Sequence, residues 1–278
     1  QRPDWDLSAV RILFNAAEPI SPKVCDRFMK ALAPCGLTRQ AMFPCYGLAE
    51  TAVGAAFPPP GRAFARVHLD RDTLTLGDQA RELPPEHPQA ATFAVEGHPL
   101  VGTDIAIRDD QGRDLPEGRL GRVMLRGPSV TAGYHGDPEA TAQAVSRDGW
   151  LDTGDLGLVL RGQLVITGRI KDVIFSRGQN FFSHDLERVA EATPGLGPGK
   201  ALAVGLTTPE RQAEEVVVFL RHRSRELGGF AILAERVAEA IARDLGLAVD
   251  HVLPVEVIPK TTSGKLRRSL LRQRYLLG

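Results

Sequence analysis

Between Phe93 and Ile166, short β-rich runs alternate with turn signals at Asp110-Gln111-Gly112, Pro116-Glu117-Gly118 and Arg126-Gly127-Pro128. Gly and Pro this closely spaced end helices before they lengthen, so the segment is confined to short strands. Residues 101–108, 121–125 and 164–167 are predicted strands, and a small antiparallel barrel or sandwich is expected. Ahead of it the rhythm differs. A β-rich run at 10–14 leads into Asn15-Ala16-Ala17-Glu18-Pro19, and Ser21-Pro22 reads as an N-cap and first helical residue. Val24, Phe28, Ala31 and Leu32 recur at helical spacing, the helix stops before Pro34, and 41–45 is β-rich again. Strand, helix, strand predicts an α/β layer.

Residues 57–92 carry a Pro triplet, many charges and an alternating piece at 68–74, which reads as an irregular insertion with some strand. After Arg169 the pattern is α+β. Helix is predicted at 185–192, strands at 201–206 and 216–221, and an amphipathic helix at 230–245 with Ile232, Leu233, Val237, Ile241 and Leu245 toward the core. A strand at 252–257 and a basic helix at 266–277 close the chain. The expected organisation is a domain over 1–170 (an α/β layer over 1–56, an insertion-like segment over 57–92, a barrel-like region over 93–168) and a smaller α+β domain over 171–278, with the joint at Lys171.

Charge and cysteine content narrow the class of partner. Lys plus Arg and Asp plus Glu both number 34, so no overall field draws the chain to nucleic acid or an anionic membrane. Cys25, Cys35 and Cys45 lie outside metal-ligand spacings and fit free thiols in a reducing cytoplasm. No apolar run is long enough to span a bilayer and no signal peptide opens the chain. Arg in excess of Lys, with abundant Ala, Gly and Pro, suggests a bacterial source. The first residues lack an initiator Met and run straight into a strand-like segment, so a fragment of a longer protein is expected.

Several short stretches carry chemistry. Thr153-Gly154-Asp155 sets hydroxyl, open backbone and carboxylate side by side on a glycine-bounded turn, suited to gripping neighbouring hydroxyls such as those of a ribose. Arg169, in Gly-Arg-Ile-Lys-Asp, offers a charge-assisted bond to ribose or phosphate, or else a structural salt bridge with Asp155 or Asp172. In Tyr46-Gly47-Leu48-Ala49-Glu50, the Tyr ring suits a base, Gly47 admits close backbone approach, and Glu50 suits Mg²⁺; a buried Tyr, a turn Gly and a helix-start Glu explain the same letters. Ala16 and Ala17 are small enough to admit an adenine ring. Lys265, in Thr-Thr-Ser-Gly-Lys, can swing a cation toward a transferring phosphoryl group or simply be solvated, and the loop is not a P-loop. The basic tail (Arg267, Arg268, Arg272, Arg274) is a solvated face or a dock for an acidic carrier protein.

In order and spacing, Asn-Ala-Ala-Glu-Pro, Tyr-Gly-Leu-Ala-Glu, Arg-Gly-Pro-Ser-Val-x-x-Gly-Tyr (126–134), Trp-Leu-Asp-Thr-Gly-Asp, Gly-Arg-Ile-Lys-Asp-Val-Ile and Pro-Lys-Thr-Thr-Ser-Gly-Lys resemble the adenylate-forming superfamily of acyl and aryl-CoA synthetases, peptide-synthetase adenylation domains and luciferases. Residues 67–74, Arg177-Gly178-Gln179-Asn180 with Asp185-Leu186-Glu187, and the ending Arg-Tyr-Leu-Leu-Gly look most like the fatty acyl-AMP ligases. The resemblance implies the later portion of a large adenylating domain, an α/β layer plus a small β-barrel, followed by a small mobile α+β domain. It implies ATP/AMP and Mg²⁺ as cofactors, a fatty acid as substrate, and an acyl carrier protein or synthase module as partner. Carried across by position, Ala16, Ala17, Glu18 and Tyr46 form the adenine pocket with Gly47, and Glu50 binds Mg²⁺. Asp155 holds the ribose, Arg169 the ribose or phosphate, Lys171 is the hinge, and Lys265 the adenylation lysine. Asn-Ala-Ala-Glu stands where Asn-Gly-Ala-Glu is usual, and the Ser/Thr/Gly-rich phosphate loop is not in the chain, which is expected not to turn over alone. An acyl-CoA synthetase and a non-catalytic nucleotide- or carrier-binding module are the alternatives.

Overall fold

The computed structural model describes residues 5–176, 179–206, 214–223, 227–262 and 264–277. Arg177 and Gly178, which contribute to the resemblance, and Ser263 of the Lys265 loop lie outside the described residues. The chain divides into two compact units, Gln1–Ile170 and Lys171–Gly278.

In the first unit, β1 (Leu13–Asn15) and β2 (Met42–Pro44) pair in parallel and α1 (Pro22–Leu32) connects them. A parallel pair needs such a crossover, since a tight turn cannot reverse the chain twice. Ser21 caps α1, its Oγ accepting the Val24 N–H at 3.4 Å, and Pro22 is at the first turn. The buried face is Cys25 and Met29, packed with Leu37, Ala41 and Met42, whereas Val24 and Phe28 of the sequence repeat are exposed. The helix therefore forms where expected but is rotated. Asp26 fixes that rotation by accepting from Arg66 Nη1 and Nη2, at 2.6 and 2.9 Å.

Next come β3 (Ala56–Phe57), β4 (Arg66–Asp70), β5 (Ala90–Ala94) and β6 (His98–Pro99), with β3 on β6 and β4 on β5. The insertion-like stretch thus contributes a strand, β4, that pairs with β5. Then β7 (Asp104–Arg108), β8 (Gly121–Arg126), the short helix α2 (Pro138–Ala144), β9 (Leu151–Leu160) and β10 (Gln163–Arg169) follow. Strands β7 to β10 form a four-stranded antiparallel sheet in sequence order. Ile107, Val123, Leu125 and Leu164 from it pack with Tyr46, Ala55 and Ala56, joining the sheet to the segment after β2.

The second unit holds the hairpin β11 (Val173–Ser176) and β12 (Gln179–Phe182), α3 (Ser183–Ala192), β13 (Ala201–Leu206), β14 (Glu215–Arg221), α4 (Leu227–Leu245), β15 (His251–Val255) and α5 (Arg268–Leu277). Successive side chains of β13 and β14 point to opposite faces, and both faces are apolar. Ala201, Ala203, Val216, Val218 and Leu220 pack with α3 and α4; Leu202, Val204, Leu206, Val217 and Phe219 pack with Leu271 of α5. That explains two nearly unbroken hydrophobic runs. In α4 the inward face is Phe230, Val237, Ala240 and Ile241 with Leu233 and Leu245 alongside, while Ile232, expected inward, is exposed. A 100° step per residue places Ile232 off the stripe that Leu233 and Val237 define. No helix among the described residues is long and apolar enough to cross a membrane.

Candidate functional site

Two parallel strand ends carry the first group of candidates. Asn15 closes β1 opposite Pro44 of β2, and the Cys45 N–H donates to the Asn15 carbonyl at 3.0 Å. Ala16, Ala17 and Glu18 leave one strand end and Tyr46 the other, at the carboxyl edge where parallel sheets take ligands. All three of the first group are exposed. Ala17 holds φ at 76°, a left-handed conformation that costs a non-glycine residue about 1 kcal/mol.

Tyr46 exchanges backbone hydrogen bonds with Ala55 and Ala56, so the chain from 46 to 56 closes on itself. A Cβ on Gly47 would lie 1.8 Å from the Val53 carbonyl oxygen. The space expected to admit a ligand at Gly47 is therefore taken by the protein's own backbone, and that is why glycine is needed there. Tyr46 also departs from expectation. It is 8% exposed, its ring packed among Ile107, Val123, Leu125 and Leu164, and what it presents is the hydroxyl, which donates to Asp155 Oδ2 at 2.7 Å. Burial, reinforced by the Asp155 carboxylate, pushes the phenol well above its ordinary pKa, so it stays a donor at neutral pH.

Asp155 lies within β9, not on a free turn. The turn chemistry expected of Thr153-Gly154-Asp155 is nonetheless present. Gly154 has φ at 71°, its N–H donates to Asp152 Oδ1 at 3.0 Å, and the Asp155 N–H donates to Thr153 Oγ1 at 3.1 Å. These local bonds accompany a bulge in β9: between the Arg122–Leu156 and Met124–Asp152 pairs the ladder to β8 shifts register, and Thr153 to Asp155 stand outside it. A register shift between Ile166 and Gly168 on β10 then sets Arg169 opposite Asp155. Arg169 Nε lies 2.8 Å from Asp155 Oδ1, and Nη2 donates to the Thr153 carbonyl at 3.2 Å. Of the two roles open to Arg169, the ion pair is what the structure contains. Its Arg side chain is 56% exposed, so the pair contributes only about 0–1 kcal/mol and can be traded for a ligand at small cost.

Glu50 sits in a single 3-10 turn, Ala49–Thr51. Its Oε1 accepts the Tyr134 hydroxyl at 2.8 Å, and its carbonyl accepts the Thr131 N–H at 2.8 Å. The Arg-Gly-Pro-Ser-Val-x-x-Gly-Tyr loop thus clamps Glu50 by side chain and backbone, a role for Tyr134 that no local sequence signal announces. The hydrogen bond to Glu50 raises the Tyr134 pKa, with burial adding to it. No group of three or more His, Cys, Asp or Glu able to hold a metal occurs among the described residues. A single oriented carboxylate fits Mg²⁺ carried mainly by phosphate oxygens and water, and does not fit a dedicated protein cage.

In the second unit, Lys171 is exposed in the short turn Ile170–Asp172. Lys265 is exposed on a loop whose base is fastened: the Thr261 N–H donates to the Lys265 carbonyl at 2.8 Å and the Lys265 N–H to Thr261 Oγ1 at 3.0 Å. Gly264 has φ at 92° and open space beside it. In the basic tail, Arg268 is not a solvated side chain, because Glu187 and Asp172 pair with it.

Residues 1–135 match the family model described as AMP-binding enzyme. The chain is 36% identical over 99% of its length to a putative acyl-CoA synthetase of Caulobacter vibrioides, of which it covers 48%. It is 32% identical over 100% of its length to the medium-chain-fatty-acid acyl-carrier-protein ligase JamA of Moorena producens, covering 49% of that protein. A solved structure from a study of fatty acyl-adenylate ligases of E. coli and L. pneumophila superposes with a TM-score of 0.86 at 33% identity, covering 98% of this chain and 48% of the other. The chain therefore spans about half the length of the relatives that it matches.

Proposed function

Because this chain belongs to the AMP-binding, adenylate-forming enzyme family, we propose that the full-length protein is a fatty acyl-AMP ligase that loads an acyl carrier protein. The Tyr46–Asp155–Arg169 cluster carries this reading: a carboxylate 13% exposed, held from two sides by donors that can be exchanged, beside the carboxyl ends of parallel strands. Vicinal ribose hydroxyls match its two oxygens. In the reaction, a fatty carboxylate oxygen bonds to the α-phosphorus of ATP while the bond to pyrophosphate breaks and its electron pair leaves with pyrophosphate.

Ala16, Ala17 and Glu18 line the adenine side, with Tyr46 and Gly47 behind it. Arg169 turns from Asp155 to ribose or phosphate. Glu50, oriented by Tyr134, takes Mg²⁺, which when bound neutralises phosphate charge. Lys171 serves as the hinge that lets the small unit bring Lys265 to the α-phosphate. Positioning and charge stabilisation do most of the work. The exposed Arg267 and Arg274 remain available to an acidic carrier protein.

Mass spectrometry of the full-length protein with dodecanoate, ATP, Mg²⁺ and CoA tests the proposal. Accumulated acyl-AMP with little acyl-CoA is expected. Abundant acyl-CoA would favour a CoA synthetase, the activity named for the Caulobacter relative, and neither product would favour a non-catalytic binding module. Tyr134→Phe loses one hydrogen bond to a carboxylate, about 1 kcal/mol or roughly fivefold. Weakened Mn²⁺ binding in the presence of ATP, with unchanged affinity for metal-free AMP, is the expected pattern in a spin-resonance titration.

A further inference from the structure

The segment between β5 and β6 buries a carboxyl that the chemistry above does not use. Glu96 is 4% exposed, and its Oε2 accepts the Ile166 N–H at 3.0 Å. Its own N–H donates to the Leu164 carbonyl at 3.0 Å, and the Leu164 N–H donates to the Gly97 carbonyl at 2.8 Å. Ile166 is the last β10 residue before the register shift that ends with Arg169 opposite Asp155. The Leu164 and Ile166 amides lie on the same edge of β10, facing residues 96 and 97, and in a buried site each needs a partner. Gly97 supplies a carbonyl for the first and the Glu96 side chain an oxygen for the second, just ahead of the bulge. Next to the bulge, Thr167 is 1% exposed and its hydroxyl reaches the Leu156 carbonyl at 3.3 Å.

We propose that Glu96 is a positioning residue whose carboxyl, by holding the Ile166 amide, fixes the β10 bulge and so sets Arg169 against Asp155. Its consequence for ribose binding rests on the reading of Asp155 given above; its consequence for the bulge does not. Burial pushes the Glu96 pKa up to about 8, so at neutral pH it is held as the uncharged acid. The titratable group facing it is the Cys45 thiol, itself raised by burial and uncharged. From β10 it meets the backbone of Leu164 and Ile166, and His98, two residues on, is exposed and contacts the Gly162 carbonyl. A carboxyl raised in the folded state stabilises it most fully below the unfolded pKa near 4.5 and loses that contribution as pH rises through about 8. Alkaline pH must therefore draw water to Glu96 and loosen the bulge.

Amide hydrogen exchange and AMP calorimetry on the full-length protein, in wild type, Glu96→Gln and Glu96→Leu from pH 6 to 9, form the test. Wild type should lose protection over residues 166–169, and roughly tenfold in AMP affinity, as pH rises through about 8. Glu96→Gln keeps an acceptor without a titrating proton and should stay protected and flat with pH. Glu96→Leu should exchange fast at these amides at every pH while the β13–β14 amides stay protected. Equal protection of wild type and Glu96→Leu at pH 6 would overturn the proposal, as would a Glu96→Gln profile that follows wild type through pH 9. The expected exchange pattern without AMP binding by wild type would instead leave the positioning role standing and remove the ribose reading.

Discussion

Lys265→Ala in the full-length protein is expected to slow acyl-adenylate formation by about 10²–10³-fold, the loss typical of removing one group aimed at developing transition-state charge. The substitution leaves the loop intact. Its anchors are the backbone N–H and carbonyl of residue 265, bonded to Thr261, and neither depends on the Lys side chain. Melting temperature and AMP affinity should therefore stay at wild-type values while pyrophosphate release in a single turnover collapses. Lys265→Arg keeps the charge but spreads it over a planar fork, so it should recover only part of the rate. An unchanged rate in Lys265→Ala would remove Lys265 from the chemistry. A parallel loss of AMP affinity would make it a ground-state binding residue.

Much of the fold was legible one element at a time. The Ser21 cap and Pro22 announced α1, and the β13 and β14 runs were fixed by unbroken apolar letters that only a doubly covered sheet can use. Facing was less legible than existence. Val24 has the right spacing for a core stripe, but Asp26–Arg66 chooses a neighbouring face, and Arg66 lies far away in sequence; Ile232 is one 100° step off the stripe of Leu233 and Val237. The Asp155 site shows the same division. Gly154 and the Asp152 and Thr153 side chains gave the local turn, yet pairing β9 with β10 through a bulge is a long-range fact. Glu96 had no local signal at all: one acidic letter between Val95 and Gly97 becomes meaningful only when the Ile166 amide is seen above it.

Arg268→Ala should cost about 3–5 kcal/mol of stability in the second unit at alkaline pH, because it strands the buried Glu187 carboxylate without its cation. The Arg268 side chain is 17% exposed; it bonds Glu187 at 2.6 and 3.1 Å and Asp172 at 3.1 Å. Glu187 is 6% exposed and also accepts the Ala203 N–H at 3.0 Å, so it cannot turn out to water without breaking its contact to β13. Burial lifts its pKa to about 7 even with Arg268 attached, and removing the guanidinium raises it further. A raised carboxyl contributes stability that is complete below about 4.5 and disappears as pH climbs through the folded value, so the variant's deficit must grow from pH 5 to pH 8. Urea unfolding of the full chain at both pH values, followed by a probe in the second unit, measures it. Arg268→Met with Glu187→Gln should recover much of the loss, because it removes the stranded charge along with its partner. A deficit equal at both pH values would show that Arg268 acts by packing alone. Arg268 lies three residues after Lys265 and Asp172 directly follows Lys171, so this ion-pair network joins the segment bearing the proposed adenylation lysine to the one bearing the proposed hinge. Loosening it should lower the rate of adenylate formation even in the fraction that remains folded, through misplacement of the Lys265 loop.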